Sequence, residues 1–395
     1  MRTYHFMRLL SARHRVQLIC PGSVREELQL KNALSPWCNG VFCVPYSSAP
    51  GVLHRAAAAA TSLVPDIALR MRQPGLGIAV QEQAYARRVD VVHIVGLEAA
   101  ASVFPTDELD DIPLVLDALN AEYVLQERAW QSARREPRTW TRAAFSWLQS
   151  KKLSQYEVSV GKRMSGIIAT SQEDLLAMER IVPGVPATVV ANGVDTDQYD
   201  MKECEPRNPS GPTELLFTGT MDYRPNIDAA IWFADQVLPR VRVYVPNAKF
   251  VIMGRNPTPE VQRLAGPNVT VTGAVADDVP YFHRASAFVL PMRFGGGTRL
   301  KLLQAMSCGL PVVTTTMGAS GIDFEHGSDG LVANTAEAFA EATVSVLRNE
   351  EMAHGLGMNA RSKAMVQDWA HRIPQLESFY LDVLTKSTAS MRRGK

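Results

Sequence analysis

The residues best suited to chemistry fall in one segment, LPMRFGGGTRLKLLQAMSCGLPVVTT, at positions 290–315. Its pattern predicts a strand, a glycine turn, a helix that begins near Thr298, and a second strand. The glycines of the turn are Gly295, Gly296 and Gly297. Glycines let a backbone approach a ligand closely, and the first N–H groups of a helix attract anions. Arg299 and Lys301 lie in that first turn, where the helix dipole disfavours cations, so the segment predicts a bound anion such as a nucleotide diphosphate.

A simpler interpretation of the same segment is a flexible surface loop with two solvated basic residues. Three glycines alone are equally compatible with that loop. The strands on either side and the Gly-Leu-Pro stop at 309–311 favour a phosphate loop at the end of a buried strand.

Short runs rich in Val, Ile and Leu recur along the chain and would position this loop. They are RVQLICP (15–21), GVFCVP (40–45), VDVVHIVG (89–96), PLVLDALN (113–120), SGIIATS (165–171), ATVVANG (187–193), ELLFTG (214–219), AKFVIMG (248–254), VTVTG (269–273), AFVLP (287–291), PVVTT (311–315) and DGLVA (329–333). Such runs are typical of parallel strands covered by helices on both faces. Their alternation with helical patterns predicts an α/β protein of two Rossmann-like, doubly wound parallel-sheet domains facing across a cleft.

The domain boundaries follow from composition. Residues 1–194 are predicted to form the first domain, and the polar, Pro- and Gly-containing stretch 195–213 a linker. Residues 214–368 are predicted to form the second, nucleotide-binding domain. The remainder, 369–395, is expected to pack back on the first domain as a helix and to end in a tail.

The chain opens with MRTYHFMRLLSARH, in which Tyr4, Met7, Leu9 and Leu10 form an apolar stripe typical of a helix. A doubly wound domain ordinarily opens with a strand in the middle of its sheet. Without that strand, neighbouring backbone groups would lose ladder partners, at about 1–3 kcal/mol each. We therefore expect residues ahead of Met1 to supply it, and a fully paired first sheet would contradict this expectation.

Charge and cysteine content exclude several classes of protein. The formal net charge of +1 argues against a nucleic-acid binder that works through bulk electrostatics. Five cysteines without a CxxC pair indicate reduced thiols rather than a disulfide framework or a zinc site. The chain has no apolar run of about 18 residues and no signal-peptide pattern, so we expect a cytoplasmic protein.

Several segments, taken together, resemble glycosyltransferase family 4 with the GT-B fold, specifically its GGGTRLK-bearing branch of bacterial sugar transferases. Besides the glycine segment, these are RTYHFMRLLSARHRVQLI, SGIIATSQEDL, VVANGVDTDQY, FTGTMDYRPNIDAAIWF and SDGLVA. They occur in the family's order over nearly the whole chain. The resemblance implies a retaining hexosyltransferase that needs no metal and no cofactor besides its nucleotide-sugar donor.

Site residues follow from the resemblance by position. It implies that the backbone amides of Thr298, Arg299 and Leu300 hold the donor diphosphate. Arg299 and Lys301 would neutralise it, with Arg224 after the Gly219 loop. Loops closed by Gly254 and Gly273 would flank the nucleotide base.

The sequence departs from the family pattern at two places. Many members carry two glutamates eight positions apart across the glycine segment, where this chain has Gly296 and Gln304. The second glutamate grips the ribose diol in the family, and a neutral amide accepts hydrogen bonds more weakly, by about 1–2 kcal/mol. The other departure is the expected missing first strand, whose glycine-rich loop approaches the diphosphate in the family.

The first domain is expected to bind the acceptor. His93 lies near the end of one predicted strand, and Asp117 and Asn120 lie near the end of the next. The carboxyl ends of parallel strands point to the ligand crevice, so these side chains are candidate catalytic or acceptor-binding groups. A hydrogen-bonded core histidine is an equally open interpretation of His93.

Residues 134–152, RREPRTWTRAAFSWLQSKK, combine six basic side chains with Trp140, Phe145 and Trp147. One interpretation is an amphipathic helix that rests peripherally on the anionic inner membrane, near a lipid-linked acceptor. The other is a domain helix with buried aromatic residues and a solvated basic face. Both stay open at this point.

These observations predict a retaining glycosyltransferase of bacterial polysaccharide or glycoconjugate synthesis. It would move a sugar from a nucleotide-diphosphate donor to a glycan, lipid-linked or small-molecule hydroxyl. Two alternatives stay open: an enzyme like the sugar-nucleotide 2-epimerases, and a degenerate partner that binds nucleotide sugar without turnover.

Overall fold

The structure is a computed structural model that describes residues 2–47, 51, 61–62, 64–104, 109, 111–134, 140–201, 213–295 and 299–393. The predicted site residues Gly296, Gly297 and Thr298 lie outside the described residues. The chain divides into two compact units, one made of Met1–Ala191 with Arg372–Lys395 and the other of Asn192–His371.

The first unit alternates parallel strands and helices. Its strands are β1 (Gln17–Pro21), β2 (Gly40–Val44), β3 (Val92–Val95), β4 (Leu114–Ala118), β5 (Gly166–Ala169) and β6 (Ala187–Val189). Its helices are Arg2–Leu10, Val24–Leu34, Asp66–Met71, Pro74–Arg87, Gly96–Val103, Glu122–Ala133, Trp140–Gly161, Gln172–Ile181 and Ile373–Arg393.

The second unit repeats the alternation. Its strands are β7 (Thr213–Thr218), β8 (Ala248–Met253), β9 (Val269–Gly273), β10 (Ala287–Leu290), β11 (Val312–Thr314) and β12 (Leu331–Val332). Its α-helices are Arg224–Trp232, Leu238–Tyr244, Pro259–Gln262, Val279–Arg284, Leu300–Ser307, Thr316–Ala319, Ala336–Arg348 and Glu350–Met365. A π-helical turn, Phe233–Val237, and a 3-10 turn, Trp369–Arg372, complete it.

The predicted α/β fold class is confirmed, because each of the twelve apolar runs coincides with a strand or most of one, and the described strands all pair in parallel. Most of these strands end one to four residues before the run that predicted them, whereas β1 and β9 end with their runs. Residues 195–201 of the predicted linker belong to the second unit, and 202–212 lie outside the described residues.

The described strands of the second unit form one six-stranded sheet in the order β12-β11-β10-β7-β8-β9. Its central strands are apolar on both faces because helices cover both sides, as in other doubly wound sheets. Phe217, Phe233, Phe250 and Phe288 are fully buried in this core. The rings of Phe233 and Phe250 pack at an interplanar angle of 40° with centroids 4.4 Å apart, and such aromatic contacts contribute beyond simple area burial.

The described strands of the first unit form two separate sheets. β1 and β2 pair with each other, and β3, β4, β5 and β6 form a second sheet in that order. The core of the unit surrounds the four-stranded sheet, where Leu116, Ile167 and Met178 are fully buried. The long helix Ile373–Arg393 belongs to this unit, and it contributes Phe379 and Val383, whose side chains contact the backbone of β5 at Gly166.

Local sequence signals fix several helix starts. Ser23 and Glu26 form a capping box at the start of Val24–Leu34. Ser171, Thr335 and Asn349 each accept a backbone N–H from the first turn of the helix that follows. Within the described part of the chain, no helix is both long and apolar enough to span a membrane.

Candidate functional site: two cations at the strand-order reversal

The strand order of the second unit reverses between β7 and β10. β7 comes first in the chain, β8 and β9 follow on one side of it, and β10, β11 and β12 follow on the other. In open parallel sheets, ligands bind beyond the carboxyl ends of the strands at such a reversal. The segment after β7 and the glycine segment after β10 both lie at this point.

Three glycines close the strands on the β7 side. Gly254 has a φ of 152°, and a Cβ placed there would lie 1.6 Å from the carbonyl oxygen of Gly219. Gly273 has a φ of 71°, in the left-handed region that favours glycine, and its carbonyl accepts the N–H of Gly254. The backbones of the Gly219 and Gly254 turns therefore pack directly on one another and leave no room for a side chain at Gly254, whereas Gly273 has open space and is favoured as glycine by its φ alone.

Lys301 reaches back from the helix Leu300–Ser307 to the β7 turn. Its Nζ donates to Asn226 Oδ1 at 2.8 Å and lies 4.8 Å from the centroid of the Phe217 ring. A Cβ on Gly219 would lie 2.8 Å from this Nζ, so the glycine makes space for the ammonium group. Burial, reinforced by the charge of Arg299, lowers the pKa of Lys301 to about 7.

Arg299 precedes the same helix and is buried, with 5% of its surface exposed. Its guanidinium donates to the carbonyl of Gly295 at 3.1 Å and to that of Met317 at 3.4 Å. Burial lowers the pKa of Arg299 from its ordinary value. Two desolvated cations and the helix N–H groups of Leu300 and Lys301, which lack intrahelical acceptors, thus share one region.

Arg224 is the first residue of the helix Arg224–Trp232 and is exposed. Its guanidinium carbon lies 5.7 Å from the ring centroid of Phe294, in the segment that leads into the glycine turn. The neighbouring Pro225 contacts Gly295, since a Cβ on that glycine would lie 3.2 Å from the proline ring. The helix start and Gly295 are therefore adjacent, and a ligand shared by these residues stays a prediction.

Gln304 lies one helical turn beyond Lys301, in a buried hydrogen-bond chain. Its Nε2 donates to Tyr199 Oη at 2.6 Å, and that hydroxyl donates to Asp278 Oδ2 at 2.9 Å. Burial and the charge of Asp278 raise the pKa of Tyr199, so the phenol stays protonated as a donor. Contact between Gln304 and a ribose stays a prediction.

Sequence reasoning missed Asn226, Tyr199 and Asp278. Asn226 follows proline in the DYRPN run, and an amide at the third position of a helix was a usable signal for it. Tyr199 and Asp278 lie 79 residues apart, and only the tertiary structure brings them together.

In the first unit, the predicted residue Asp117 is fully buried in β4. Arg2 binds it through two hydrogen bonds of 2.7 and 2.9 Å, and His93 Nε2 lies 3.4 Å from it. Burial alone would raise the pKa of Asp117, but His93 and Arg2 hold it below its ordinary value. His93 also bonds through Nδ1 to the hydroxyl of Tyr380 at 2.6 Å, so these groups tie two helices to the sheet.

Asn120 lies past the end of β4 and is partly exposed. Its amide donates to Glu122 at 3.3 Å. Burial raises the pKa of Glu122, and the nearby charge of Glu98 adds to that effect. The structure therefore brings Asn120 together with acidic groups at the strand ends and keeps it apart from the buried Asp117 network. Among the described residues, no group of three or more His, Cys, Asp or Glu side chains is arranged to hold a metal ion.

Comparison with known proteins agrees with this arrangement. Residues 212–349 match the family of glycosyl transferases group 1. This range includes the three cations described above, Arg224, Arg299 and Lys301. A glycogen synthase of Mycobacterium tuberculosis is 24% identical over 298 residues, which are 71% of this chain and 66% of that protein. The chain spans between 43% and 66% of the length of the first curated relatives it matches.

Two solved structures are similar across almost the whole chain. Sucrose-phosphate synthase from Thermosynechococcus elongatus superposes with a TM-score of 0.64 at 16% identity and covers 95% of this chain and 100% of its own. Anabaena Alr3699/HepE, solved in complex with UDP and glucose, has a TM-score of 0.62 at 16% identity and covers 95% and 94%. The chain thus has the fold of the GT-B glycosyltransferases, and its segment 212–349 matches the family of glycosyl transferases group 1.

Proposed function

We propose that this protein is a glycosyltransferase that moves a sugar from a nucleoside diphosphate to an acceptor hydroxyl. The observation that carries the proposal is the pair of desolvated cations, Arg299 and Lys301, beside a helix N-terminus at the strand-order reversal. A nucleoside diphosphate is attracted by two neighbouring cations, and phosphates bind at helix N-termini.

The chemistry assigned to these groups is stabilisation of the leaving diphosphate. The bond between the anomeric carbon and the diphosphate oxygen breaks, and the acceptor oxygen bonds to that carbon. The acceptor proton passes to the departing diphosphate, which carries away the electron pair. Lys301 and Arg299 act on the charge that develops on this leaving group, which is often the largest contribution to catalysis. The product keeps the anomeric configuration of the donor, and no metal or protein nucleophile enters this scheme.

The donor is proposed to be a hexose linked to a nucleoside diphosphate, with UDP-glucose as the first candidate because the similar HepE structures hold UDP and glucose or UDP-glucose. The turns at Gly254 and Gly273 would flank the base with backbone groups. Such groups select a base less strictly than side chains do, so donors with other bases belong in the same screen.

The acceptor hydroxyl is proposed to belong to a glycan or a lipid-linked sugar of bacterial polysaccharide synthesis. Asn120 and Glu122, beyond β4, offer an amide and a carboxyl group to sugar hydroxyls. Asp117 is fully buried, and we assign it with His93 to holding the amino-terminal helix. Peripheral membrane contact is proposed for the helix Trp140–Gly161, where Phe145 and Trp147 are 45% and 47% exposed.

The test is a donor screen followed by a turnover assay. We expect one class among UDP, GDP, ADP and dTDP sugars to raise the melting temperature, and release of its nucleoside diphosphate to require an acceptor. A matched pair of variants, Lys301→Met and the exposed Lys162→Met, separates loss of the site from general loss of charge. Conversion of the donor to its 2-epimer would favour the epimerase alternative. Binding without turnover across acceptors would favour a non-catalytic partner.

A further inference from the structure

Asn226 is a buried amide that bonds through both polar atoms of its side chain. The residue is 5% exposed. Its Oδ1 accepts from Lys301 Nζ at 2.8 Å, and its Nδ2 donates to the carbonyl of Thr220 at 2.9 Å. Because a carbonyl can accept but not donate, and an ammonium group can donate but not accept, the two bonds allow a single orientation of the amide. The backbone after β7 therefore fixes which atom of Asn226 faces Lys301.

The turn and the helix start that carry Asn226 are themselves held by backbone bonds. The N–H of Asn226 donates to the carbonyl of Tyr223 at 2.8 Å, and the N–H of Gly219 donates to that of Met253 at 3.0 Å. A Cβ on Gly219 would lie 2.6 Å from Asn226 Nδ2 and 2.8 Å from Lys301 Nζ. Any larger residue at position 219 would displace both groups, so this glycine keeps the amide and the ammonium group together.

Lys301 lies between this amide and an aromatic ring. Its Nζ is 4.8 Å from the ring centroid of Phe217, within the range of a cation–π contact. An ammonium group has three N–H donors, so the bond to Asn226 holds the group in place and leaves donors that an anion can accept. Burial, with the charge of Arg299 at the start of the same helix, lowers the pKa of Lys301 to about 7. A change of partner at Lys301 therefore decides whether the group is charged at neutral pH.

The carboxylates of the segment around Asn226 have partners of their own. Residues 219–232 contain two of them, and each is hydrogen-bonded elsewhere, Asp222 to Asn256 at 3.0 Å and Asp228 to Arg293 at 2.8 Å. The group from this segment that faces Lys301 is thus a neutral acceptor. A neutral acceptor orients an ammonium group without cancelling its charge, whereas a carboxylate at the same place would form an ion pair with it.

We propose that Asn226 is a positioning residue of the donor site, which holds the Lys301 ammonium group against Phe217 in the orientation that meets a diphosphate oxygen. The proposal rests on the proposed function, in which Lys301 binds the diphosphate. Asn226 touches neither the sugar nor the reacting atoms in this scheme and acts through Lys301. Its neutrality matters as much as its bond, because it leaves the positive charge of Lys301 to the ligand.

The first test changes the charge of residue 226 and nearly nothing of its shape. Asn226→Asp is compared with Asn359→Asp, at an exposed amide of the same unit that donates to the carbonyl of Ser328. Titration calorimetry with UDP-glucose is run at pH 7 and pH 9. The wild-type Kd should rise about fiftyfold between these values as Lys301 loses its proton. Asn226→Asp should bind about tenfold or more weakly at pH 7, and its Kd should not change with pH, because the ion pair keeps Lys301 charged.

A second variant separates the loss of the bond from the change of charge. Asn226→Leu removes the acceptor and adds no charge, so Lys301 should lose its proton more easily and the Kd should already rise below pH 7. Asn359→Asp should keep the wild-type profile. A general loss of structure would weaken binding in both Asn226 variants alike without moving their pH profiles in opposite directions. Wild-type pH profiles in both Asn226 variants would overturn the proposal.

The charge state of Lys301 can also be measured without a donor. Between pH 7 and 9 the unfolding of the wild type should take up about one proton at Lys301, so its free energy of unfolding in urea should increase with pH. Asn226→Asp should lack this increase, because its Lys301 is charged in both states, and Asn359→Asp should keep it. An equal increase in Asn226→Asp would overturn the role of Asn226 whatever the donor does. A wild type that binds no UDP-glucose but shows the expected difference in urea would instead count against the proposed donor.

Discussion

Because the pKa of Lys301 is lowered, the affinity for the donor should fall as the pH rises above 7. The ammonium group is the form that attracts a diphosphate, but burial makes about half of the free protein neutral at pH 7. If the bound anion keeps Lys301 charged, the apparent Kd varies as one plus the ratio of neutral to charged lysine. It should rise about fivefold from pH 7 to 8 and about tenfold from pH 8 to 9. Below pH 6 the affinity should be constant.

The assay is titration calorimetry with a nucleotide sugar, which avoids the second ionisation of a terminal phosphate near pH 6. At pH 8, binding should take up about 0.9 proton per molecule, measured as the difference in heat between two buffers with different ionisation enthalpies. Lys301→Met should bind more weakly at pH 7 and show no rise in Kd from pH 7 to 9. Lys162→Met, at an exposed position, should keep the wild-type profile.

The lowered pKa of Lys301 also determines how the free energy of unfolding changes with pH. Because the folded pKa of Lys301 is below its unfolded value, unfolding takes up a proton above pH 7, and this contribution to the free energy of unfolding increases with pH up to the ordinary lysine value. Two results would refute the idea that Lys301 titrates beside the bound diphosphate. One is a wild-type Kd that stays constant between pH 6 and 9. The other is an equal increase of Kd with pH in Lys301→Met.

Three further substitutions test the surroundings of the two proposed sites. Gln304→Glu should lower the donor KM about five- to thirtyfold if residue 304 faces the ribose. It should also lower the melting temperature, because the hydroxyl of Tyr199 loses its hydrogen-bond donor. A lower melting temperature with an unchanged KM would show that residue 304 serves only the bond to Tyr199. Gly254→Ala should unfold at a much lower urea concentration, because its Cβ would overlap the carbonyl of Gly219. The control Gly266→Ala, which has open space around its Cβ, should unfold at nearly the wild-type urea concentration. Similar urea midpoints for the two variants would show that the Gly219 and Gly254 turns can move apart. Asp117→Asn should lower the free energy of unfolding in urea by about 3–5 kcal/mol, because it removes the negative charge that faces the buried Arg2. The control Glu173→Gln, in an exposed ion pair, should lower it by less than about 1 kcal/mol. Equal decreases in the two variants would mean that the pair of Arg2 and Asp117 is not desolvated.

The sequence by itself determined the local structure and its class. Strands such as Leu114–Ala118 and Ala287–Leu290 could be located because their apolar runs are short, continuous and bounded by turn residues, and this signal depends only on neighbours along the chain. The glycine segment before Leu300 was also legible, since a strand, a glycine turn and a helix start stand next to one another. The resemblance to a known family added the roles proposed for these positions.

Only the tertiary structure decided which side chains share an environment. Lys301 meets Asn226 from 75 residues away, Gln304 meets Tyr199 from 105, and Asp117 is bound by Arg2 from 115. Asp117 shows the difference most clearly: as a carboxylate near a strand end it suggested a ligand group, yet long-range packing buries it fully beside an arginine that the pattern of its own strand does not specify. Burial and charge pairing depend on contacts distant in sequence, whereas strands and turns depend on periodicity, so the fold was predictable and the electrostatics of its sites were not.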